Sequence, residues 1–275
     1  MFDEKGHTYT AENSDLYTGC TTISEAWKKD FLGPWYAKEM YNFLSAPTIY
    51  EVLKAITPDE YLKLLTEAKG AARRKGDEAQ ITGKNAHAWM ASAVEAKILG
   101  KKQYKPPKLV NQEAENAVNA FIGWVKNNKI EWLASEEVVA NHEHKVAGTL
   151  DAIAVVDGIT YLVDFKTSGQ ISSSYLIQCA GYDLMLREMG LQVMGYMVLR
   201  TPKDGKPAET LTITDQTDMQ FFRDTFLKQR EAHKFYAYME SKFKDAIGKM
   251  KVDEVEIANI TIPKRGKVVL NKKKK

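Results

Sequence analysis

The segment from Val138 to Ser168 constrains this chain most: β-branched and apolar residues crowd both sides of an Asp157-Gly158 dipeptide. That dipeptide between apolar runs is a strong hairpin signal, because a tight two-residue turn needs positive φ at both central positions. With the turn placed there, Val156 faces Ile159. Counting outward sets Asp151 opposite Asp164 and Thr149 opposite Lys166. A four-residue loop centred on the same dipeptide keeps this register, whereas a three-residue loop slips it by one and breaks the pairing.

Directly opposed side chains on one sheet face have Cβ atoms about 5 Å apart, and like charges there are destabilising. Two carboxylates so placed ask for a positive partner. A divalent cation fits, since Mg²⁺ is held by one or two carboxylates with water and phosphate filling its other positions. Lys166 lies on the same face as Asp164, diagonal to Asp151, where an ammonium can meet a phosphate oxygen or an attacking water. This is a geometry for metal-assisted phosphodiester hydrolysis. An Asp-x-Lys triplet alone arises readily by chance, and is more often a surface ion pair worth under about 1 kcal/mol. Here both carboxylates adjoin apolar strands, Tyr161-Leu162-Val163 and Ala152 to Val156, and carboxylates set into buried strands need partners.

The first 20 residues look irregular or extended, and the rest of the chain supplies helices around this hairpin. Ser24 is expected to cap a helix through Trp27, and another follows the Gly33-Pro34 break from Trp35 to about Phe43. Thr57-Pro58-Asp59-Glu60 opens a segment reaching about Lys75. Thr82 to Leu99 reads as a separate helix ended by Gly100, and Gln112 to Asn128 as the next. Beyond the hairpin come a helix from about Ser172 to Met189, a buried strand in VMGYMVLR, and a long charged helix from about Asp218 to Met250. Strand, strand, helix, strand, flanked by helices, implies an α/β core with a mixed sheet. One domain is expected over residues 1–275, with a core of about 80–200, a helical N-terminal segment of about 20–80 and a C-terminal helix and basic tail of about 215–275.

No run approaches the roughly 18 apolar residues needed to span a membrane, and the polar N-terminus lacks a signal-peptide core. Only Cys20 and Cys179 are present, too few for a disulfide framework or a four-cysteine site, which points to a reducing cytoplasm and no iron–sulfur cluster. A net charge of +3 does not by itself announce a nucleic-acid partner. Basic runs at Arg73 to Lys75, at Lys101, Lys102 and Lys105, and at Lys272 to Lys275 can neutralise phosphates, although short lysine runs are more often solvated surface.

The string AGTLDAIAVVDGITYLVDFKTS, followed by Gln178-Cys-Ala-Gly-Tyr182, resembles the RecB-like branch of the PD-(D/E)XK nuclease superfamily. Phage-type exonucleases, CRISPR-associated RecB-like nucleases and a mitochondrial genome-maintenance exonuclease belong to that branch. Its pattern of Gly-x-x-Asp, Asp/Glu-x-Lys and Gln-x-x-x-Tyr is present in order and at compatible spacing. Gly83 to His87 is similar to the Gly-Thr-x-x-His helix, with Lys84 in place of the hydroxyl residue. Ser135 to Val138 is similar to a glutamate-bearing strand, and Thr21 to Ser24 with Trp35 resemble the opening of phage members. The likeness spans about Thr21 to Leu199, and the C-terminal third carries no recognised motif.

The resemblance implies a restriction-endonuclease-like core: a central mixed β-sheet flanked by helices, with helical N- and C-terminal decoration. It implies Asp151, Asp164 and the carbonyl of Phe165 as ligands of Mg²⁺ or Mn²⁺, His87 as a further ligand, and Lys166 as the catalytic lysine. Without it, His87 reads as an ordinary helix histidine. Gln178 and Tyr182, four apart on one helix face, would present an amide and a phenol to the site; from spacing alone they are a core aromatic with a neighbouring glutamine. Glu137, preferred over its neighbour Glu136 as the inward residue, would shape the site or hold a second metal.

The implied activity is a metal-dependent DNA exonuclease of a phage or bacterium, serving recombination, repair or replication. The alternatives are a structure-selective or nicking endonuclease on the same site, or a catalytically silent DNA-binding protein. The implied partners are single-stranded or duplex DNA ends and a single-strand annealing or binding protein, with no membrane, in the cytoplasm of a bacterium or phage-infected cell. Trp27, Trp35 and Trp89 are candidates for base stacking, against the commoner role of core tryptophans.

Overall fold

A computed structural model describes residues 2–5, 8–11, 14–25, 32–101 and 105–249, with side chains of 2–5, 32, 50 and 245–249 left aside. Trp27, Lys102 and the Lys272 to Lys275 run lie outside the described residues. The chain divides into two units, Met1–His233 and Lys234–Lys275, and every candidate site residue belongs to the first.

The first unit opens with strands β1 (Phe2–Lys5), β2 (Thr8–Ala11) and β3 (Leu16–Gly19) and a short helix α1 (Cys20–Ser24). Helices α2 (Leu32–Leu44), α3 (Pro47–Leu53), α4 (Pro58–Ile98) and α5 (Gln112–Asn127) follow. Next come strands β4 (Ile130–Asn141), β5 (Val146–Val156) and β6 (Ile159–Lys166), helix α6 (Ser173–Glu188), and strands β7 (Gly195–Arg200) and β8 (Glu209–Ile213). Helix α7 (Gln216–Lys249) begins in the first unit, and its residues from Lys234 onward belong to the second.

The β5–β6 turn forms as expected. Asp157 (φ 50°) and Gly158 (φ 82°) both take positive φ, and the ladder runs Val156↔Ile159 to Ala152↔Val163. Strand β6 pairs parallel with β7, and β7 antiparallel with β8. Strand β4 covers β5 along its length, from Ile130↔Val156 to Asn141↔Val146. Strand β3 pairs parallel with β5 only at Val146 and Ala147. The mixed sheet therefore leaves Gly148 to Leu150 laddered to β4 but to neither β6 nor β3, with Asp151 outside all three ladders, and the candidate site opens at this gap.

Alternation divides the sheet's side chains between two helical layers. Leu162, Tyr196 and Val198 pack with Tyr175, Leu176, Cys179 and Met185 of α6 and with Met219 and Phe226 of α7. Val163, Phe165, Met197 and Leu199 pack with Ala86, Met90 and Val94 of α4 and with Phe121 of α5. Helices on both faces of a central mixed sheet match the expected fold class and are consistent with a restriction-endonuclease-like core.

Three expectations need correction. The helices expected to end at Lys75 and to begin at Thr82 are one continuous helix, α4, of 41 residues. Thr57 and Glu60 cap its start reciprocally, and Gly76 and Gly83, costing about 1 kcal/mol each in a helix interior, do not break it where no proline follows. The expected cap Ser24 is the last residue of α1, its hydroxyl donating to the Thr21 carbonyl, and the stretch after Glu25 that includes Trp27 lies outside the described residues. Strands β1 to β3, expected only as irregular or extended chain, belong to the central sheet.

Candidate active site

Beyond Ala152↔Val163 the two hairpin strands part, and the Asp151 carboxylate takes over the ladder's role. Its Oδ2 accepts a hydrogen bond from the Phe165 backbone N–H at 2.7 Å. Asp164, buried at the end of β6, accepts at Oδ1 from Lys166 Nζ at 2.6 Å. The Lys166 ammonium also lies 5.0 Å from the centre of the Tyr175 ring, so carboxylate and ring together fix its position. From α4, His87 Nδ1 comes within 3.9 Å of Asp151 Oδ1. The ladder keeps the register read from the turn only as far as Ala152↔Val163, so Asp151 with Asp164 and Thr149 with Lys166 are not ladder pairs. The hydrogen bonds of Asp151 to Phe165 and of Lys166 to Asp164 still bring Asp151, Asp164 and Lys166 to one place, and His87 joins them.

Gln178 and Tyr182 project from α6 into the same cleft. The Gln178 amide donates to the Tyr182 hydroxyl and to Thr21 Oγ1, both at 3.3 Å, tying α6 to α1. Tyr182 lies over Gly148, where a Cβ would come 2.6 Å from the ring. That close approach explains the glycine three residues before Asp151. The cleft measures about 1110 Å³ and is lined by His87, Asp151, Lys166, Tyr175, Gln178 and Tyr182 together with residues of α4.

The charges are strongly shifted. Burial, reinforced by the neighbouring Asp151 charge, raises the Asp164 carboxyl to about 6 against the pull of Lys166. Burial raises Asp151 as well, opposed by Lys166 and by the Phe165 N–H. Burial alone would lower Lys166, but the two carboxylates and the hydrogen bond to Asp164 outweigh it and hold the ammonium above the ordinary lysine range. His87 is pushed down to about 4 by burial and then by the Lys166 charge, against Asp164 and a hydrogen bond to the Phe165 backbone. At neutral pH it is an unprotonated imidazole, the form that can ligate a metal.

These shifts oppose one another in the metal-free protein. Asp164 moves from 3.8 up to about 6, so between those values the folded state holds a proton that the unfolded state has lost, and stability falls as pH rises. His87 moves from 6.5 down to about 4, so over nearly the same window the unfolded state holds the extra proton and stability rises with pH. The His87 contribution, reduced because its side chain is 28% exposed, is about 2 kcal/mol. His87→Gln should therefore lose about that much relative to the parent between pH 4.5 and pH 6.5, by urea unfolding in EDTA. Parallel pH profiles for the two proteins would refute the assignment.

Asp164 Oδ2 is buried without a hydrogen-bond partner in the protein, an arrangement that suits a cation. Among the described residues no three His, Cys, Asp or Glu side chains form a ready-made metal cluster. The donors instead fit a small hard ion that takes two carboxylates, a backbone carbonyl at Phe165 and waters, with the neutral His87 nitrogen nearby.

Glu137 does not line the cleft; Glu136 does. Past the irregularity near Trp132, β4 places Ser135 opposite Ala152 and Glu137 opposite Leu150, so the position facing Asp151 is Glu136. Glu136 also has φ of 53°, which breaks the simple alternation of the strand at this point. Trp89 packs against the α4–α5 core cluster and Trp35 against Tyr36, whereas the aromatic rings of the cleft belong to Tyr9, Tyr175 and Tyr182. Sequence reasoning missed Tyr175 and also Arg200, which is buried, pairs with Glu209 and donates to the carbonyls of Ser168 and Gly169, clamping the loop after Lys166. The arginine ending an otherwise apolar strand was the available signal. Cys20 and Cys179 are buried thiols, each raised by burial.

No protein-family model matches the chain, and no curated protein does. Among solved structures it is similar to an alkaline exonuclease (LHK-Exo) from Laribacter hongkongensis, at 12% identity and a TM-score of 0.29, over 56% of this chain and 84% of that one. It is also similar to SSO0001, at 11% identity and a TM-score of 0.25, over 55% of this chain and 72% of that one. Likenesses this shallow carry no weight on chemistry. Among the described residues, no helix is long and apolar enough to cross a membrane.

Proposed function

We propose that this chain is a metal-dependent DNA nuclease acting at Asp151, Asp164 and Lys166. One observation carries the reading: a half-buried carboxylate, Asp151, and a buried one, Asp164, meet at the parted end of a hairpin, the buried one with an oxygen lacking a protein partner, beside a lysine aimed into the same cleft. Asp151, Asp164 and the Phe165 carbonyl would hold Mg²⁺ or Mn²⁺, with His87 as a further donor. Such an ion, when bound, supplies Lewis acidity and lowers the pKa of a coordinated water.

The protein's own groups do the rest. Lys166, kept protonated by its carboxylate neighbours, presents N–H donors to a phosphate oxygen and stabilises charge that builds there. The Gln178 amide and Tyr182 hydroxyl, already hydrogen-bonded to each other, orient the water or a non-bridging oxygen. Tyr175 holds the ammonium from its other side. A metal held by carboxylates and facing a fixed lysine suits a phosphodiester, and the resemblance of the motifs selects DNA.

Within that reading we favour an exonuclease over a nicking or structure-selective endonuclease, working in phage or bacterial DNA recombination, repair or replication beside a single-strand annealing or binding protein. Closed circular and linear forms of one DNA, incubated with the chain and Mg²⁺ or Mn²⁺, separate the two. The linear form is expected to be degraded while the circle survives; loss of the circle at a comparable rate would show an endonuclease.

A further inference from the structure

Among the described residues, the basic runs most visible in the sequence do not line the cleft. Arg73 faces Asp77, Arg74 donates to the Glu67 carbonyl, Lys75 pairs with Glu39 and Lys101 with Glu95. Two isolated lysines line it instead: Lys84 on α4, and Lys203 in the connection after β7.

Contacts along α4 fix where these lysines stand. Lys203 Nζ reaches the Ala79 carbonyl at 3.4 Å, and a Cβ on Gly83 would lie 3.1 Å from Thr167 Oγ1. Further along, His87 faces Asp151, and Ser135 Oγ reaches the Ala91 carbonyl at 3.4 Å. The order from the helix's N-terminal side is Lys203, then Lys84 beside Thr167, then the carboxylates, then the β4 strand with Glu136. From Ala79 to Ala91 this covers roughly 18 Å at 1.5 Å per residue. Both cations thus stand on one side of the carboxylates. Among the described residues Lys84 forms no ion pair, and Lys203 has only a long bond to a backbone carbonyl, so a phosphate would displace nothing costly. Gly76, Ala79 and Gly83 line the same stretch, with the Trp35 ring 3.8 Å from where a Cβ on Gly76 would lie.

We propose that the DNA strand leaves the scissile position along the N-terminal half of the cleft-facing side of α4, with the phosphates next to the cleaved one held by Lys84 and Lys203. This rests on the nuclease reading above. It gives a role to Lys84, the residue that departs from the hydroxyl of the motif it resembles. It makes both lysines positioning residues for substrate, outside the reacting atoms.

The test measures binding of a labelled single-stranded oligonucleotide to the full chain carrying Lys166→Ala, across a salt series, with and without Lys84→Ala or Lys203→Ala. Each substitution is expected to make the log–log salt slope shallower by about 1 and to weaken binding roughly three- to tenfold. In the otherwise intact enzyme each should raise KM for DNA with kcat little changed, and should leave hydrolysis of thymidine 5′-(4-nitrophenyl) phosphate, which has no neighbouring phosphate, unaltered. Lys126→Ala, on the exposed end of α5 away from the cleft, serves as the control. Unchanged slopes and KM in both cleft variants, or an equal effect from Lys126→Ala, would overturn the assignment. An intact chain that cleaves no DNA would show instead that the nuclease reading itself has failed.

Discussion

Lys166→Ala is expected to reduce DNA cleavage on the order of a thousandfold while the chain still binds DNA within severalfold of the parent. The size of the effect follows from how firmly the ammonium is placed. It is held 2.6 Å from Asp164 Oδ1 and 5.0 Å from the centre of the Tyr175 ring, and its two carboxylate neighbours keep it charged. A preorganised donor costs no reorganisation when charge develops on a phosphate, and neither water nor alanine supplies that. Binding should persist because, on the strand path proposed above, the phosphates next to the cleaved one are held by Lys84 and Lys203. Arginine does not substitute cleanly, since its planar fork cannot occupy the site of a compact ammonium. Single-turnover cleavage of labelled DNA together with fluorescence anisotropy distinguishes the two outcomes. Turnover within tenfold of the parent would remove Lys166 from the chemistry.

A second large effect is expected away from the cleft. Asp183 of α6 is fully buried and accepts hydrogen bonds from Arg223 Nη1 and the Tyr196 hydroxyl, each at 2.7 Å, and from Arg187 Nε at 3.0 Å. This network ties α6, and with it Gln178 and Tyr182, to β7 and to the start of α7. Arg223→Met would leave the buried carboxylate short of its least exposed cation, at a cost of about 3 kcal/mol. Adding Asp183→Asn should recover part of that loss, because the uncompensated charge is then gone. Urea unfolding midpoints of the parent, single and double variants measure both. An Arg223→Met protein within about 0.5 kcal/mol of the parent would mean that Arg187 and Tyr196 suffice for Asp183.

How far the sequence spoke varied with the kind of physics involved. The hairpin was legible because its register depends on one local choice: two residues with positive φ at Asp157 and Gly158 determine every facing pair up to the site. The parting of the strands past Ala152 was not legible. It depends on β6 following β7 while β3 meets β5 only near Val146, and both are long-range pairings. The motif resemblance located His87 on its helix, but the contact to Asp151 depends on where α4 lies against the sheet.

The error at Glu137 has a definite origin. Alternation along β4 says only that one of the two glutamates turns inward, whereas the register against β5 and the positive φ at Glu136 decide which of them reaches the cleft. The unbroken α4 shows the opposite limit. Its three interior glycines, Gly70, Gly76 and Gly83, look like punctuation, but packing of Ala86, Met90 and Val94 against the sheet, together with the capping box at Thr57, outweighs their cost. Arg200 and Tyr175 escaped notice because each matters through a neighbour: one through the backbone carbonyls of the loop after Lys166, the other through the ammonium of Lys166.

The most direct measurement of the central claim is cleavage of end-labelled single- and double-stranded DNA by the intact chain in Mg²⁺, in Mn²⁺ and in EDTA. The carboxylate pair and its buried unpartnered oxygen predict turnover with either metal and none in EDTA. No cleavage of any substrate with either metal, or equal cleavage in EDTA, would contradict the account.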